Sequence, residues 1–381
     1  MKVVIAIDSF KGSLSSLQAG KAAASGIRRA FPDANIQVCP LADGGEGTVD
    51  ALTEGLGGRL RQIRVTGPLG DPVECQYGII QESQTAILEM SKAAGLPLVP
   101  YEKRDPLITT TYGVGEMIAD AIGQGCRRFL VGIGGSATND GGLGMLQALG
   151  FKMLDAEGND VPPGAQGLEK LTVIDVSGKM PQLEECTFRI ACDVQNPLCG
   201  SAGSSVVFGP QKGADAATVA QMDRWMERYS RLVMSVSDQA DPSYPGCGAA
   251  GGLGFAFLSF TNASLESGVK IVLEETNLEQ HLKEADIVVT GEGRLDGQTI
   301  MGKGPIGTAQ MAKKYGLPVI AFAGCLGEEA SICNDYGIDA FFPILRTSSS
   351  EENAMEELVA FRNLENTAEQ AFRLIRTVRG L

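Results

Sequence analysis

The sequence predicts an α/β protein: a doubly wound parallel-sheet domain interrupted by a second, inserted α/β domain. Three observations carry that expectation. Short apolar, β-branched runs alternate with helical patterns over residues 1–60 and again over 285–381, the signature of parallel βαβ units. Residues 61–284 between them are richer in β alternation and denser in turns. A chain of 381 residues, at roughly 100 to 200 per domain, has room for two domains or three.

Residues 3–7 form an apolar run that stops at Asp8-Ser9-Phe10-Lys11-Gly12, and 13–30 then read as a helix. Residues 36–40 are a second strand, ended by the loop Asp43-Gly44-Gly45-Glu46, after which Gly47 and Thr48 open a helix. From 59 to 89 the pattern alternates as β structure, with turn signals at Gly67-Pro68 and Asp71-Pro72. Residues 110–122 read as a helix and 127–133 as a strand entering a glycine-rich loop at 134–142, which a helix at 143–149 follows. Residues 188–192 are a strand stopping at Asp193, 209–213 a loop, 216 to about 236 a helix, and 241–254 a long Gly- and Pro-rich loop. The last part runs strand (287–290), loop, helix (306–315), strand (319–323), loop, helix, short strand (340–344), and then helical spacing over 352–379.

Composition narrows the function. Lys plus Arg is 32 against 46 Asp plus Glu, a net charge of -14, so bulk attraction to nucleic acid or anionic lipid is not expected. An anionic ligand must be held by a few placed cations, by backbone N–H groups or by a metal. The nine cysteines are odd in number, scattered and without a CxxC pair, which predicts reduced, mostly buried thiols in a cytoplasmic protein. The apolar start is too short for a signal-peptide core, and no segment approaches 18 apolar residues, so neither export nor a membrane span is expected.

Ligands of parallel α/β sheets bind at the carboxyl ends of the strands. Four loops there carry chemistry. Asp8, Ser9 and Lys11 form the first, although Asp8 or Ser9 also suits a plain helix cap. Asp43 and Glu46 sit among glycines that admit a ligand, or form an acidic turn. Gly134, Gly135, Ser136, Thr138 and Asn139 can turn N–H groups toward a phosphate with a helix behind them, yet no Walker A lysine follows. Glu292, Arg294, Asp296 and Lys303 make the fourth; residues 297–303 fit G-x-x-x-x-G-K, but Gly304 stands where a metal-binding hydroxyl belongs. The G-x-G-x-x-G at 246–251 follows a Tyr-Pro turn rather than a strand, so it reads as close backbone approach. His281, in a polar helical stretch, reads as a surface residue, leaving proton transfer to a carboxylate or lysine.

Together DSFKGSLS at 8–15, ADGGEGT at 42–48, GIGGSATNDGG at 132–142, ACDVQNPL at 191–198, FGPQKGA at 208–214 and TGEGRLD at 290–296 resemble the bacterial type I glycerate kinases, over essentially the whole chain. Ile7 departs from the Pro expected before Asp8. The resemblance implies ATP and Mg²⁺, D-glycerate as acceptor, a phosphoglycerate as product (2-phosphoglycerate favoured), and a flavodoxin-like domain with an interdomain cleft. Under it, residues 134–140 and Lys303 serve the nucleotide, Asp193 and Glu292 hold Mg²⁺, and Arg294 or Lys11 takes the glycerate carboxylate. Ser9, Asp43 and Glu46 fall to substrate binding, with Asp8, Asp43 and Asp296 as partners of the glycerate hydroxyls; Asp8, Lys11, Asp193, Arg294 and Asp296 form the catalytic set. A homo-oligomer is compatible with this reading. A nicotinamide oxidoreductase would need the missing glycine fingerprint, and a non-catalytic sugar-acid sensor would not need acids and cations on four loops.

Overall fold

In the computed structural model, which describes residues 1–42, 44–45, 47–346 and 350–380, the strand Lys2–Ile7 lies inside a five-stranded parallel sheet. Val3 to Ile7 are all buried, as expected of a parallel strand covered on both faces. Asn35–Val38 pairs with it on one side and Ile287–Leu295 on the other, and Val319–Leu326 and Ala340–Pro343 follow outward. Numbered along the chain within this sheet, the strands lie in the order 2-1-3-4-5, the flavodoxin-type doubly wound order. The direction of winding reverses between Lys2–Ile7 and Ile287–Leu295.

Helix Ser16–Ala30 begins at a reciprocal capping box: Ser15 Oγ accepts from the Gln18 N–H, and the Gln18 side chain accepts from the Ser15 N–H. It packs on Glu357–Val378 so closely that a Cβ on Gly26 would lie 2.0 Å from the Glu365 carbonyl oxygen. Val3, Ile5, Ile7, Val289 and Phe322 join their apolar faces in one core. Val4, Ala6 and Val288 alternate to the opposite face and are equally buried, and Gly304–Lys313 packs against their strands.

The second sheet is mixed. Arg59–Thr66, Pro72–Ile80 and Thr85–Glu89 pair antiparallel, and Thr85–Glu89, Arg128–Gly132, Thr187–Ala191 and Ala263–Glu266 continue it in parallel. Phe129 stacks on Phe188 with ring centres 4.6 Å apart inside its core.

The chain divides into two compact units: Met1–Asp43, Asp50–Leu56 and Val269–Leu381 in the first, Gly44–Val49 and Gly57–Gly268 in the second. The sequence reading set the borders at 60 and 285. Residues 269–284 go with the first unit because Val269 packs onto Gly307, and Tyr315 Oη donates to Glu279 at 2.9 Å. Other elements differ too. The expected loop at 241–254 becomes the helix Ala249–Phe260 from residue 249, bent where Ala250, Gly251 and Gly252 take positive φ. The helix expected between the last two strands shrinks to the 3₁₀ turn Ala330–Asn334, and the terminal helix is two, Glu351–Met355 and Glu357–Val378. Among the described residues no helix is long and apolar enough to cross a membrane, and all nine cysteines are free thiols.

A Cβ on Gly291 would lie 2.0 Å from the Phe322 carbonyl oxygen on the neighbouring strand. Gly291→Ala should therefore destabilise the fold by about 1–3 kcal/mol or more. Gly123, at the end of helix Tyr112–Gly123, has nothing within 4 Å of such a Cβ. Gly123→Ala should be neutral or stabilise by up to about 1 kcal/mol. Urea unfolding of the two variants checks both expectations, and equal midpoints would show that the strand gap is not tight.

Candidate active site

Where Lys2–Ile7 ends, the Asp8 N–H donates to the Gly291 carbonyl at 2.8 Å. The chain then turns at once. Ser13 and Leu14 N–H groups both donate to the Phe10 carbonyl, and Gly12 takes a φ of +76°. Ser16 Oγ donates to the Ile7 carbonyl at 2.7 Å and accepts from the Leu41 N–H at 2.8 Å, locking strand end to helix start. This turn buries Asp8, whose Oδ1 accepts from the Ser9 N–H at 2.6 Å, and leaves Lys11 exposed.

The adjacent strand runs on to Leu295, five residues beyond the end the sequence pattern suggested at Thr290, so Glu292 and Arg294 are strand residues. Glu292 is in register with Ala323 and Arg294 with Cys325. Glycines permit this: a Cβ on Gly324 would lie 2.4 Å from the Gly293 carbonyl oxygen. Glu292 is buried; its Oε1 accepts from Thr299 Oγ1 at 2.7 Å, and its Oε2 lies 3.6 Å from Lys303 Nζ. Burial, helped by the charge of Asp296, pushes its carboxyl above the usual range against the pull of Thr299 and Lys303. Arg294 Nε is 3.2 Å from Asp296 Oδ2. Asp296 also accepts from the Gln298 N–H at 2.9 Å, and its own N–H donates to Thr299 Oγ1 at 3.1 Å. Lys303 caps the helix Gly304–Lys313, which carries Pro305 in its first turn.

These segments enclose a cavity of about 640 Å³. Asp8, Ser9, Lys11, Glu292, Arg294 and Lys303 line it together with apolar side chains including Phe10, Leu345 and Met355. The reversal of winding in the sheet is where such a crevice forms.

In the second unit, Glu89, Gly132 and Ala191 are in register at the carboxyl ends of adjacent parallel strands. Gly134 and Gly135 are exposed beyond them, while Ser136, Thr138, Asn139 and Asp140 are buried. Lys212, itself buried, reaches into the loop, donating to Ser136 Oγ at 2.8 Å and to the Thr138 carbonyl at 2.5 Å. Burial pushes its amine down to about 7, although Asp140 pulls the other way. Asp140 accepts from the Thr111 N–H and Oγ1, each at 2.8 Å, and from the Gly142 and Gly144 N–H groups. Desolvation still raises its carboxyl. Asn139 Nδ2 donates to Ser205 Oγ at 2.9 Å, while Thr138 Oγ1 and Asn139 Oδ1 have no partner among the described residues. Gly251 shapes the loop from outside, since a Cβ there would lie 2.1 Å from the Thr138 carbonyl oxygen. Asp193 is exposed after strand Thr187–Ala191, with Oδ1 accepting from the Gly268 N–H at 3.2 Å.

Of the nominated residues, Asp8, Ser9, Lys11, Glu292, Arg294 and Lys303 thus share one cavity, with Asp296 bound to Arg294. Gly134, Gly135, Ser136, Thr138, Asn139 and Asp193 stand at one edge of the second sheet; Asp43 and Glu46 lie outside the described residues. Sequence reasoning gave no role to Thr299, Lys212 or Glu89, and it counted Asp140 in the phosphate-binding loop, where the structure buries its carboxylate as an acceptor from Thr111, Gly142 and Gly144. Glu89 Oε1 accepts from the Val49 N–H at 2.9 Å, yet in sequence it only ends an apolar strand. Lys212 had a signal, the FGPQKGA run, but not a destination.

The model of the glycerate kinase family matches residues 3–376. The chain is 48% identical to a glycerate 2-kinase of Escherichia coli (strain K12), over 93% of each chain. It is 45% identical to a glycerate kinase of Haemophilus influenzae, over 98% of this chain and 99% of the other. A solved structure described as glycerate kinase 2 from Salmonella typhimurium LT2 superposes with a TM-score of 0.93 at 45% identity, covering 100% of both chains.

Lys212 gives a pH prediction. Its folded-state pKa is lowered to about 7 from 10.5, so between those values the unfolded chain binds more protons and stability rises with pH. Urea unfolding at pH 7 and pH 9 should show the wild type gaining about 1–2.5 kcal/mol relative to Lys212→Met, which cannot titrate there. Parallel pH dependences in the two proteins would mean that the amine titrates normally.

Proposed function

We propose, from the premise that the chain belongs to the glycerate kinase family, that it transfers the γ-phosphoryl group of ATP to D-glycerate. The enzyme is an ATP-dependent small-molecule kinase. The relative named glycerate 2-kinase favours the 2-hydroxyl as acceptor and 2-phosphoglycerate as product. The observation that carries the reading is the one cavity that Lys11, Arg294 and Lys303 line together with Asp8 and Glu292, at the reversal point of the sheet.

Phosphoryl transfer is catalysed by positioning and by charge stabilisation, and these residues supply both. Lys303, at a helix N-terminus, is assigned to the nucleotide phosphates, as are the exposed backbones of Gly134 and Gly135. Ser136, Thr138 and Asn139 shape that second loop from beneath. Arg294, ion-paired with Asp296 through Nε, suits the glycerate carboxylate as a bidentate partner, with Lys11 lining the same cavity. Ser9 faces the cavity and is assigned to the substrate, as are Asp43 and Glu46. Asp8 and Asp296 are assigned to the glycerate hydroxyls. The hard carboxylate oxygens of Asp193 and Glu292 fit Mg²⁺, which binds through one or two carboxylates together with phosphate oxygens and water. Mg²⁺ supplies neutralisation of the transferring phosphoryl group when bound. Asp193 is also a candidate to take the proton of the attacking hydroxyl.

Incubation with ATP, Mg²⁺ and D-glycerate should give ADP and a phosphoglycerate, and EDTA should stop turnover. Proton-coupled phosphorus NMR reads the position: a phosphate on the 2-hydroxyl couples to one methine proton and appears as a doublet, one on the 3-hydroxyl as a triplet. Undiminished turnover in EDTA would remove the metal, and a triplet would remove the 2-phosphate.

Arg294→Lys keeps the charge and loses the planar fork. The glycerate KM should rise by a factor of about 10 or more as about 1.5–3 kcal/mol of charged hydrogen bonding is lost. A fall in kcat at constant KM would instead put Arg294 on the phosphoryl group.

A further inference from the structure

We propose that Lys212 is a positioning residue of the phosphate loop whose amine, enclosed under residues 134–138, is the buried counter-charge to a phosphate on the exposed backbone, so that phosphate binding there takes up a proton. This rests on the kinase reading above, which assigns Gly134 and Gly135 to the nucleotide. Residues 208–214, the run that carries Lys212, have no place in the reaction as proposed above. Their backbone is pinned on both sides of the lysine. A Cβ on Gly209 would lie 2.3 Å from the Ser205 carbonyl oxygen, and one on Gly213, at a φ of +102°, would lie 2.1 Å from the Arg104 carbonyl oxygen. The turn Pro210–Lys212 is fixed between them, and its lysine runs inward to the loop.

What the amine meets there does not neutralise it. Its partners are a hydroxyl and a carbonyl, Ser136 Oγ at 2.8 Å and Thr138 O at 2.5 Å, and among the described residues no carboxylate forms an ion pair with it. Lysine is almost never fully buried without a charge partner. Asp140 acts on it only at longer range, its oxygens accepting from Thr111, Gly142 and Gly144. The other face of the loop has the matching deficit. Leu96 N–H donates to the Gly135 carbonyl and Ala137 N–H to the Ala94 carbonyl, each at 2.9 Å, which anchors the loop. The N–H groups of Gly134, Gly135 and Ser136, however, have no acceptor among the described residues. Successive unpaired N–H groups around a glycine at a φ of +74° form an anion-binding concavity. An anion there supplies the charge that the enclosed amine lacks, in surroundings where water screens the attraction little.

A phosphate near the amine favours its charged form. By reciprocity the protonated amine favours the phosphate. Burial holds the amine near 7 before the anion arrives, so the coupling falls in the neutral range. The other charged or titratable groups around the turn are Asp140, half-buried Arg104 with Nη1 donating to the Gln211 carbonyl at 3.2 Å, Asp105 next to it, exposed Asp215, and Tyr229 with its hydroxyl donating to the Gly141 carbonyl. Burial pushes Tyr229 up and hydrogen bonds from Thr218 push Asp215 down, both away from neutral pH.

The test measures the Kd of inorganic tripolyphosphate by calorimetry at pH 6.5 and pH 8.5, in the full-length wild type and in Lys212→Met. Ionisation of the probe itself is common to both proteins. From the lower to the higher pH the wild-type Kd should rise by about 5-fold or more relative to that of the variant, the change produced by a rise of about one pH unit in the amine's pKa on binding. A lysine that only supports the fold would make the variant weaker by the same factor at both pH values, and that result would overturn the proposal. So would a wild type that does not bind tripolyphosphate at pH 6.5. If Lys212→Met fails to fold, the wild type labelled with ¹³C at the lysine Cε reads the amine directly. The resonance with its midpoint near pH 7 should move up by about one pH unit at saturating tripolyphosphate, and an absent or unmoved midpoint would overturn the proposal equally. Turnover of ATP and D-glycerate is assayed separately. Its absence in a chain that shows the proton linkage would defeat the kinase reading and leave Lys212 as the counter-charge of an anion site.

Discussion

The hydrogen bond from the Asp8 N–H to the Gly291 carbonyl joins a strand from the start of the chain to one from its last quarter, and the cavity depends on that pairing. Two neighbouring parallel strands whose connections leave in opposite directions cannot both have a helix over their shared carboxyl ends, so a crevice opens there. Into it one strand delivers Asp8 to Lys11 and the other Glu292 to Lys303. The spacing is set by backbone contact. With Gly291 against Phe322 and Gly293 against Gly324, there is no side chain between the strands to hold Glu292 or Arg294 away from the rim.

Glu292 at this rim is held differently from the charges of an open ion pair. Lys21 and Glu54 form an ion pair in which both side chains are 62% exposed, worth at most about 1 kcal/mol. Glu292 is buried, and its carboxylate is kept in place by a hydroxyl, Thr299 Oγ1, that also accepts from the Asp296 N–H. One side chain therefore fixes two acids, and the raised carboxyl of Glu292 records the cost of that burial. Lys212 and Asp140 repeat the device in the second unit: an enclosed amine and an enclosed carboxylate hold a loop whose exposed part is glycine backbone. Rigidity under an open backbone is what an anion site requires.

The strand, loop and helix that present Asp8 and Lys11 were legible because a β-branched run stops at a polar loop and helical spacing follows, although the cap is Ser15 and not Asp8 or Ser9. The strand carrying Glu292 and Arg294 was legible only to Thr290. Glycines at 291 and 293 erase the apolar pattern, though they are what allow the strand to continue. The bend at Ala250 to Gly252 was misread as loop for a related reason: Gly251 answers to the Thr138 carbonyl and Gly252 to the Gly141 backbone, tertiary partners invisible along the chain. Lys212 stood in a distinctive run, but only the fold sends its amine beneath Ser136. Likewise 269–284 belong with the first unit through contacts such as Val269 with Gly307, which nothing local along the chain announces.

A net charge of -14 would seem a poor basis for binding a triphosphate and a carboxylate. Most of that charge is irrelevant at the site, because ionic screening at physiological salt reduces exposed charges beyond about 8 Å to minor influence. What the ligands meet is local, and there the acids Asp8, Glu292 and Asp296 match the cations Lys11, Arg294 and Lys303 in number. Such a set does not draw anions in by its net field. Under the proposed reaction it would discriminate by position, with a cation for a phosphate or carboxylate oxygen and an acid for a hydroxyl. A balanced rim also leaves the charge of the incoming nucleotide uncompensated by protein alone, which gives Mg²⁺ an electrostatic task under the proposed reaction.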